Sequence, residues 1–160
     1  GDVYKRQFPH CSNEVQLSFN GHTLTMKSKL GSTGFKAVSG KPIRGGWDYS
    51  VDRQKKEGEG PIPAGEYWIR PDELWENTFF KRVLPWNSPE SWGAYRISIH
   101  PFTTTKTHGR GGFFIHGGDV AGSAGCIDLT VKMNSFVEKL KQAVGETKKC
   151  QIKLTVKYQY

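Results

Sequence analysis

Residues 109–129 read GRGGFFIHGGDVAGSAGCIDL, and the interpretation of the whole chain starts from this stretch. A short apolar run, Phe113-Phe114-Ile115, ends on His116; two glycines follow, and a loop of small residues leads to Cys126. A buried strand would fix the imidazole, and the small residues would leave room for a substrate beside the thiol. We therefore interpret Cys126 and His116 as a nucleophile and its base.

The chemistry of a thiol explains why these two residue types belong together. The nucleophile is the thiolate, and a free cysteine with a pKa of about 8.5 carries little of it at neutral pH. A neighbouring imidazole and a helix N-terminus both lower that pKa. His116 supplies the first, and Asp128-Leu129-Thr130 predicts an N-cap and first helical turn just after Cys126. Gly125 permits a bent backbone, so that its N–H and that of Cys126 can point at one oxyanion.

Two alternative roles for these residues stay open. Cys126 and His116 are also compatible with a structural cysteine and a hydrogen-bonded core histidine, although core residues rarely need flanking glycine-rich loops. The second alternative is a zinc site, which no CxxC or HExxH motif supports. Its candidate ligands are His100, His108, His116, Asp119 and Cys126.

Two motifs resemble L,D-transpeptidase catalytic domains of the YkuD-like kind. His116-Gly117 followed by Ser123-Ala124-Gly125-Cys126-Ile127 is similar to their His-Gly, spacer and Ser/Thr-His-Gly-Cys signature. Upstream, Gly60-Pro61-Ile62-Pro63-Ala64-Gly65-Glu66-Tyr67 resembles their Pro-x-Gly-x-Phe/Tyr strand entry. The similarity covers Val15 to the C-terminus in the order of parts and is strong only at these motifs.

The chain also departs from that signature. Only ten positions separate His116 from Cys126, Ala124 replaces the second histidine, and Asp128 stands where the family often has Arg or Asn. In these respects it looks more like the divergent branch found among type VI secretion effectors, which attack the peptidoglycan of rival bacteria. The expected location is therefore outside the producing cell or in the bacterial periplasm, and an immunity protein is a candidate partner.

The resemblance implies a mainly β domain, a bent sheet or sandwich with one main α-helix after the nucleophile. It implies attack by Cys126 on tetrapeptide stems of peptidoglycan with release of the terminal D-Ala, His116 acting as base and then as acid, and no metal or cofactor. Ser123 would orient or hydrogen-bond His116, and the backbone of Gly125 and Gly117 would lie at the oxyanion. The acyl-enzyme would pass to water, a free D-amino acid or another stem. The short spacer favours trimming and exchange over cross-linking.

Arginines are candidates for holding a substrate carboxylate, because a guanidinium binds carboxylates in a bidentate manner. Arg110 is nearest the motif, and Arg96 and Arg44 are further candidates. Gly118 is expected at the substrate as well.

Two rival functions stay open at this point. One is a Cys–His endopeptidase of the NlpC/P60 kind, in which the cysteine precedes the histidine, whereas here His116 comes first. The other is an inactive peptidoglycan-binding module that retains Cys126 for packing.

Composition bounds the remaining choices. A chain of 160 residues predicts one domain, with residues 1–14 as a tail and 15–160 as the catalytic domain. The formal net charge of +8 favours anionic partners, but no nucleic-acid-binding motif occurs. No apolar run approaches the ~20 residues of a membrane span. Besides Cys126, the chain has Cys11 and Cys150, which form either a disulfide or two free thiols.

Periodicity predicts the main elements. Alternation around Asn20-Gly21 predicts a hairpin over 14–26 with a type I′ turn. Further strands are expected at 35–38, 66–70, 95–100, 112–116 and, inside the sheet, 152–158. An amphipathic helix is expected from Leu129 to Val144, closed by Gly145. We expect a shorter helix at 72–83, a long surface loop at 42–60 and an aromatic loop at 85–92.

Overall fold

Strands dominate the part of the chain that the structure describes. The structure, a computed structural model, describes residues 8–76, 95–118 and 121–159. Their strands are β1 (Gln16–Phe19), β2 (Thr23–Ser28), β3 (Gly31–Lys36), β4 (Val38–Ser39), β5 (Gly65–Ile69), β6 (Trp75–Glu76), β7 (Tyr95–Pro101), β8 (Phe113–His116), β9 (Ile127–Asp128) and β10 (Ile152–Val156). They form one sheet in the order β3-β2-β1-β10-β5-β7-β8-β9-β4, with β6 paired to β7. The nearly closed sheet and one main helix late in the chain confirm the predicted fold class.

The N-terminal hairpin is present, but its turn differs from the prediction. Strands β1 and β2 pair antiparallel. A type I′ turn needs a positive φ at both central residues; Gly21 has a φ of 97°, whereas Asn20 stays out of the left-handed region. The side-chain oxygen of Asn20 instead accepts the N–H groups of His22 and Thr23, at 2.9 and 2.8 Å. Asn20 therefore shapes the turn through its side chain rather than through its backbone.

The last strand lies inside the sheet, as predicted. β10 pairs in parallel with β1 and antiparallel with β5. Just before it, a disulfide joins Cys11 to Cys150, with their Cα atoms 4.9 Å apart, which confirms the disulfide alternative. The N–H of Cys11 donates to the carbonyl of Gln151 at 3.2 Å. This part of the predicted tail, residues 8–14, is thus attached to the sheet.

The main helix begins later than predicted. Helix α2 is Met133–Val144, and its apolar face, which includes Phe136 and Leu140, is buried in the core. A 3-10 turn, Thr130–Lys132, precedes it. The N–H of Leu129 donates to the carbonyl of His116 at 2.8 Å, so the chain after Cys126 first continues the sheet. The predicted helix N-terminus at Cys126 is therefore wrong and cannot lower the pKa of this thiol.

Two other segments also differ from the periodicity. Within the predicted surface loop 42–60, helix α1 (Val51–Gln54) forms behind Ser50, and Arg53 and Gln54 are buried. The predicted helix at 72–83 begins instead as a 3-10 turn, Pro71–Glu73, followed by β6; residues 77–83 and the aromatic loop lie outside the described residues. In the described part of the chain, no helix combines the length and apolar character needed to cross a membrane.

The side chains of strands β7 and β8 alternate between the two faces of the sheet. Their alternation sends one set of side chains into the core and the other set to the opposite face. The core set is Tyr95, Ile97, Ile99, Phe113 and Ile115. The other set includes Arg96, Phe114 and His116. The buried side chains thus hold the two strands against the core, and the opposite face carries the polar side chains of Arg96 and His116.

Candidate active site

The imidazole of His116 is held at the end of β8. Its Nδ1 lies 2.9 Å from the carbonyl oxygen of Gly117. Because a carbonyl oxygen only accepts, Nδ1 carries the proton, and Nε2 of a neutral ring is left as an acceptor. The side chains of His116 and Cys126 are hydrogen-bonded to each other. The structure therefore brings the two residues of the sequence motif into direct contact.

Parallel pairing of β8 and β9 explains this contact. Ile115 is in register with Ile127, and His116 with Asp128. Cys126 is the residue just before β9, so it lies beside β8 rather than on a helix.

The environment stabilises the charged forms of both groups. Burial lowers the pKa of His116, but its hydrogen bonds to Cys126 and Gly117 and the charges of Cys126 and Asp128 outweigh burial and raise the pKa to about 9. Burial raises the pKa of the Cys126 thiol, but the hydrogen bond and charge of His116 outweigh it, so that the pKa is lowered. The pair consequently favours a thiolate facing an imidazolium.

Two more donors contact the sulfur. The hydroxyl of Ser123 and the backbone of Phe114 both hydrogen-bond to Cys126, and both favour its thiolate. Ser123 therefore contacts the thiol of Cys126, whereas the sequence predicted that it would orient His116. The N–H of Cys126 donates to the carbonyl of Ser123 at 3.2 Å, which closes the loop around the nucleophile.

Asp128 is the member of the site that the sequence analysis missed. Its side chain is 1% exposed, and Oδ1 lies 4.0 Å from Nδ1 of His116. Oδ2 accepts the N–H of Gly122 at 2.9 Å, and Oδ1 accepts that of Thr130, also at 2.9 Å. The carboxylate thus faces the imidazole and holds the backbone on both sides of Cys126, at Gly122 and at Thr130. The sequence predicted a helix N-cap at Asp128 and showed a departure from the transpeptidase signature there, but neither feature predicted a contact with His116.

The backbone of Gly125 has a different function from the one predicted. Its N–H donates to the carbonyl of Gly60 at 2.9 Å, so it is not free to bind an oxyanion in this conformation. Gly125 has a φ of 71°, and a Cβ there would meet Phe113 at 3.0 Å, so glycine is needed at this position. Gly117 contributes its carbonyl to His116, and Gly118, with a φ of 155°, continues the chain beside it.

Arg110 is a structural residue, which corrects its assignment to a substrate carboxylate. The side chain is buried, and its guanidinium donates to the carbonyls of Gln54 at 2.6 Å, Pro61 at 2.7 Å and Gly60 at 2.9 Å. It therefore braces the segment whose Gly60 holds Gly125. The polar, Gly-rich character of loop 42–60 gave no sign of this internal contact.

Arg96 differs from Arg110 in its exposure to solvent and in its position beside His116. It is exposed, and it lies in register with His116 on the neighbouring strand. Arg44 is also exposed, in a turn between Ile43 and Gly46.

In the residues that the structure describes, no group of three or more His, Cys, Asp or Glu side chains could hold a metal ion. Asp119, one of the candidate zinc ligands, lies outside them.

A protein-family model matches most of the chain. The model of the family described as the Tlde1 domain matches residues 33–155, a range that includes His116 and Cys126. No curated protein matches the chain.

Proposed function

The chain belongs to the Tlde1 domain family, a type VI secretion effector family associated with L,D-transpeptidase-like activity, and on that premise we propose that it is a cysteine-dependent enzyme that modifies peptidoglycan. Its substrates would be the tetrapeptide stems, and its reactions L,D-carboxypeptidase cleavage and exchange of the terminal D-amino acid. The observation that carries the proposal is the hydrogen bond between the side chains of Cys126 and His116, whose surroundings favour a thiolate facing an imidazolium.

The pair supports acylation by the following steps. The thiolate of Cys126 attacks the carbonyl carbon at the L-centre of the third residue, and the carbonyl π-electrons move to oxygen. When the tetrahedral intermediate collapses, the C–N bond breaks, and the imidazolium of His116 gives its proton to the nitrogen of the departing D-Ala. A thioester on Cys126 and a neutral imidazole remain.

The second half-reaction regenerates the site. Neutral His116 takes a proton from water or from the amine of a free D-amino acid as that group attacks the thioester. Sulfur leaves as the thiolate, so the ion pair is restored. Water gives a tripeptide, and a D-amino acid gives an exchanged tetrapeptide. The short spacing, in which Cys126 follows His116 by ten positions, supports small acceptors over a second bulky stem.

Other features of the chain support action outside the cytoplasm. The Cys11–Cys150 disulfide is typical of an oxidising compartment such as the periplasm. The net charge of +8 suits an anionic cell-wall substrate. An effector that consumes donor stems in the periplasm would endanger its producer, so an immunity protein is the expected partner.

The test is to incubate purified protein with tetrapeptide muropeptides, with and without D-Met, and to identify the products by mass spectrometry. Tripeptide should accumulate without D-Met, and a tetrapeptide ending in D-Met should accumulate with it. The matched control is Cys126→Ala, which should give neither product. Cross-linked dimers as the main product would favour the cross-linking activity, and cleavage within the stem would favour an endopeptidase. Unchanged substrate with folded wild-type protein would contradict the proposal.

A further inference from the structure

Four neighbouring strands place one residue each in a single row across the sheet. Trp75 of β6 is in register with Arg96 of β7, Arg96 with His116 of β8, and His116 with Asp128 of β9. Residues in register on adjacent strands present their side chains on the same face. The imidazole therefore has an arginine on one side and an aspartate on the other.

The guanidinium of Arg96 is oriented by aromatic rings. Its central carbon lies 4.8 Å from the ring centroid of Trp75 and 5.3 Å from that of Phe114. Such packing restrains a long side chain while its N–H groups remain open to a ligand. Arg96 is exposed, and within the described ranges no acidic side chain forms an ion pair with it. The row thus contains a positioned positive charge next to the base.

The proposed reaction places a carboxylate near that charge. His116 must come within hydrogen-bond distance of the departing amine to protonate it. In a terminal amino acid, the carboxylate is bonded to the same carbon as the amine, so it lies only a few ångströms from the imidazole. On one side of His116 stands buried, acidic Asp128, which would repel a carboxylate. On the other side stands Arg96, whose Cα is about 5 Å from that of its cross-strand partner in such a pair.

We infer that Arg96, oriented by Trp75 and Phe114, binds the carboxylate of the departing D-amino acid. The inference rests on the proposed function and adds its specificity: the enzyme acts on stems with a free terminal carboxylate and not on an internal bond. By microscopic reversibility, the same arginine orients the carboxylate of an incoming D-amino acid. Free D-amino acids are then accepted in exchange, and D-amino acid amides are poor acceptors.

The experiment compares a tetrapeptide stem with its C-terminal amide, which has nearly the same size and lacks the charge. Wild-type protein should cleave the free acid with a kcat/KM about 10- to 100-fold higher than that for the amide, as the loss of a charge-assisted hydrogen bond implies. Arg96→Gln should lower kcat/KM for the acid by a similar factor, mainly through KM, and leave the amide unchanged. Arg96→Lys should retain part of the preference. The charge-matched control is Lys27→Gln, exposed on distant β2.

Each outcome has a clear meaning. Equal cleavage of acid and amide by the wild-type protein overturns the inference and leaves the proposed function standing. A folded Arg96→Gln variant that keeps the wild-type preference also overturns it. If that variant does not fold, as circular dichroism would show, the wild-type comparison and Arg96→Lys decide. Cleavage of neither substrate by folded wild-type protein contradicts the proposed function, and the inference fails with it.

Discussion

Two regions of this molecule hold buried cysteines in different surroundings. Cys126 is 8% exposed, and Cys11 and Cys150 are 5% and 0% exposed, so burial does not distinguish them. Cys126 has an imidazole, a hydroxyl and a backbone donor around its sulfur, all of which favour a thiolate. Cys150 instead faces the carbonyl of Thr147 and is bonded to Cys11. The surroundings of the sulfur, rather than its depth, therefore distinguish the proposed nucleophile Cys126 from the two cysteines of the disulfide.

The largest expected effect is at the proposed nucleophile, Cys126. Cys126→Ala and His116→Ala should each lower turnover of tetrapeptide stems by about a thousandfold or more, because each removes one half of the ion pair. The double variant should be little worse than either single one, since the two groups act as a unit. Muropeptide analysis measures the product, and the melting temperature provides the control for folding.

The second prediction concerns the region of Cys11 and Cys150, which is destabilised when the disulfide is removed. Cys11→Ala combined with Cys150→Ala should lower the free energy of unfolding by about 2–5 kcal/mol, because the crosslink spans a sequence separation of 139 and restricts the unfolded chain. Activity measured well below the melting temperature should stay close to wild type. Urea unfolding followed by fluorescence gives the stability.

A mass measurement checks the same region directly. After alkylation without reductant, the denatured protein should carry one label, on Cys126, and three labels only after reduction. Three labels without reductant, or an unchanged unfolding midpoint in the double variant, would contradict the structural role of the pair.

A variant of Arg110 tests whether the region of Cys126 depends on the contacts of this arginine with the 54–61 segment. Arg110→Met removes the donors to three carbonyls of the 54–61 segment, and those carbonyls stay buried. We expect a loss of about 1–3 kcal/mol in the free energy of unfolding and a lower kcat, since Gly60 no longer holds Gly125 firmly. Thermal melts and steady-state kinetics measure the two effects. Exposed Lys27→Met is the control for removal of a surface positive charge and should change neither; equal behaviour of the two variants would refute the bracing role.

The smallest expected effect is at Asp128, and it appears in the pH dependence. The pKa of His116 is raised to about 9, so the imidazolium, which is the proposed acid, is present below that pH and is lost as pH rises through it. Asp128→Asn removes a negative charge beside the ring, so the pKa of His116 should fall and the alkaline limb of kcat/KM should move to lower pH. At neutral pH the loss should be about tenfold or less. An alkaline limb that stays in place would show that Asp128 acts only on the loop.

Local patterns predicted much of the fold and the centre of the site. The alternation in β1, β2, β7, β8 and β10 and the spacing of apolar residues in α2 were visible because each depends on near neighbours in the chain. His116 and Cys126 were found because the glycines and small residues between them have no use in an ordinary core. Their catalytic roles stay a prediction until variants are measured.

The errors share a physical origin in contacts between distant residues. Arg110 donates to carbonyls about fifty positions away, from Gln54 to Pro61, and nothing next to it in sequence indicates that partner. Likewise, the N–H of Gly125 is taken by Gly60. Asp128 was interpreted as a helix cap because short strand β9 has no periodicity of its own; only its pairing with β8 places the carboxylate beside His116.

The parallel pairing of β1 with β10 has a consequence for synthesis. Gln16 lies opposite Lys153, so β1 gains this neighbour only after almost all the intervening chain has left the ribosome. Until then, the hairpin of β1 and β2 has one unpaired edge, which can bind other extended chains. Distant pairings also slow folding, because a long loop must close before they form. The Cys11–Cys150 bond keeps that loop closed for as long as it stays oxidised, so an oxidised chain that unfolds can rebuild its sheet sooner than a reduced one.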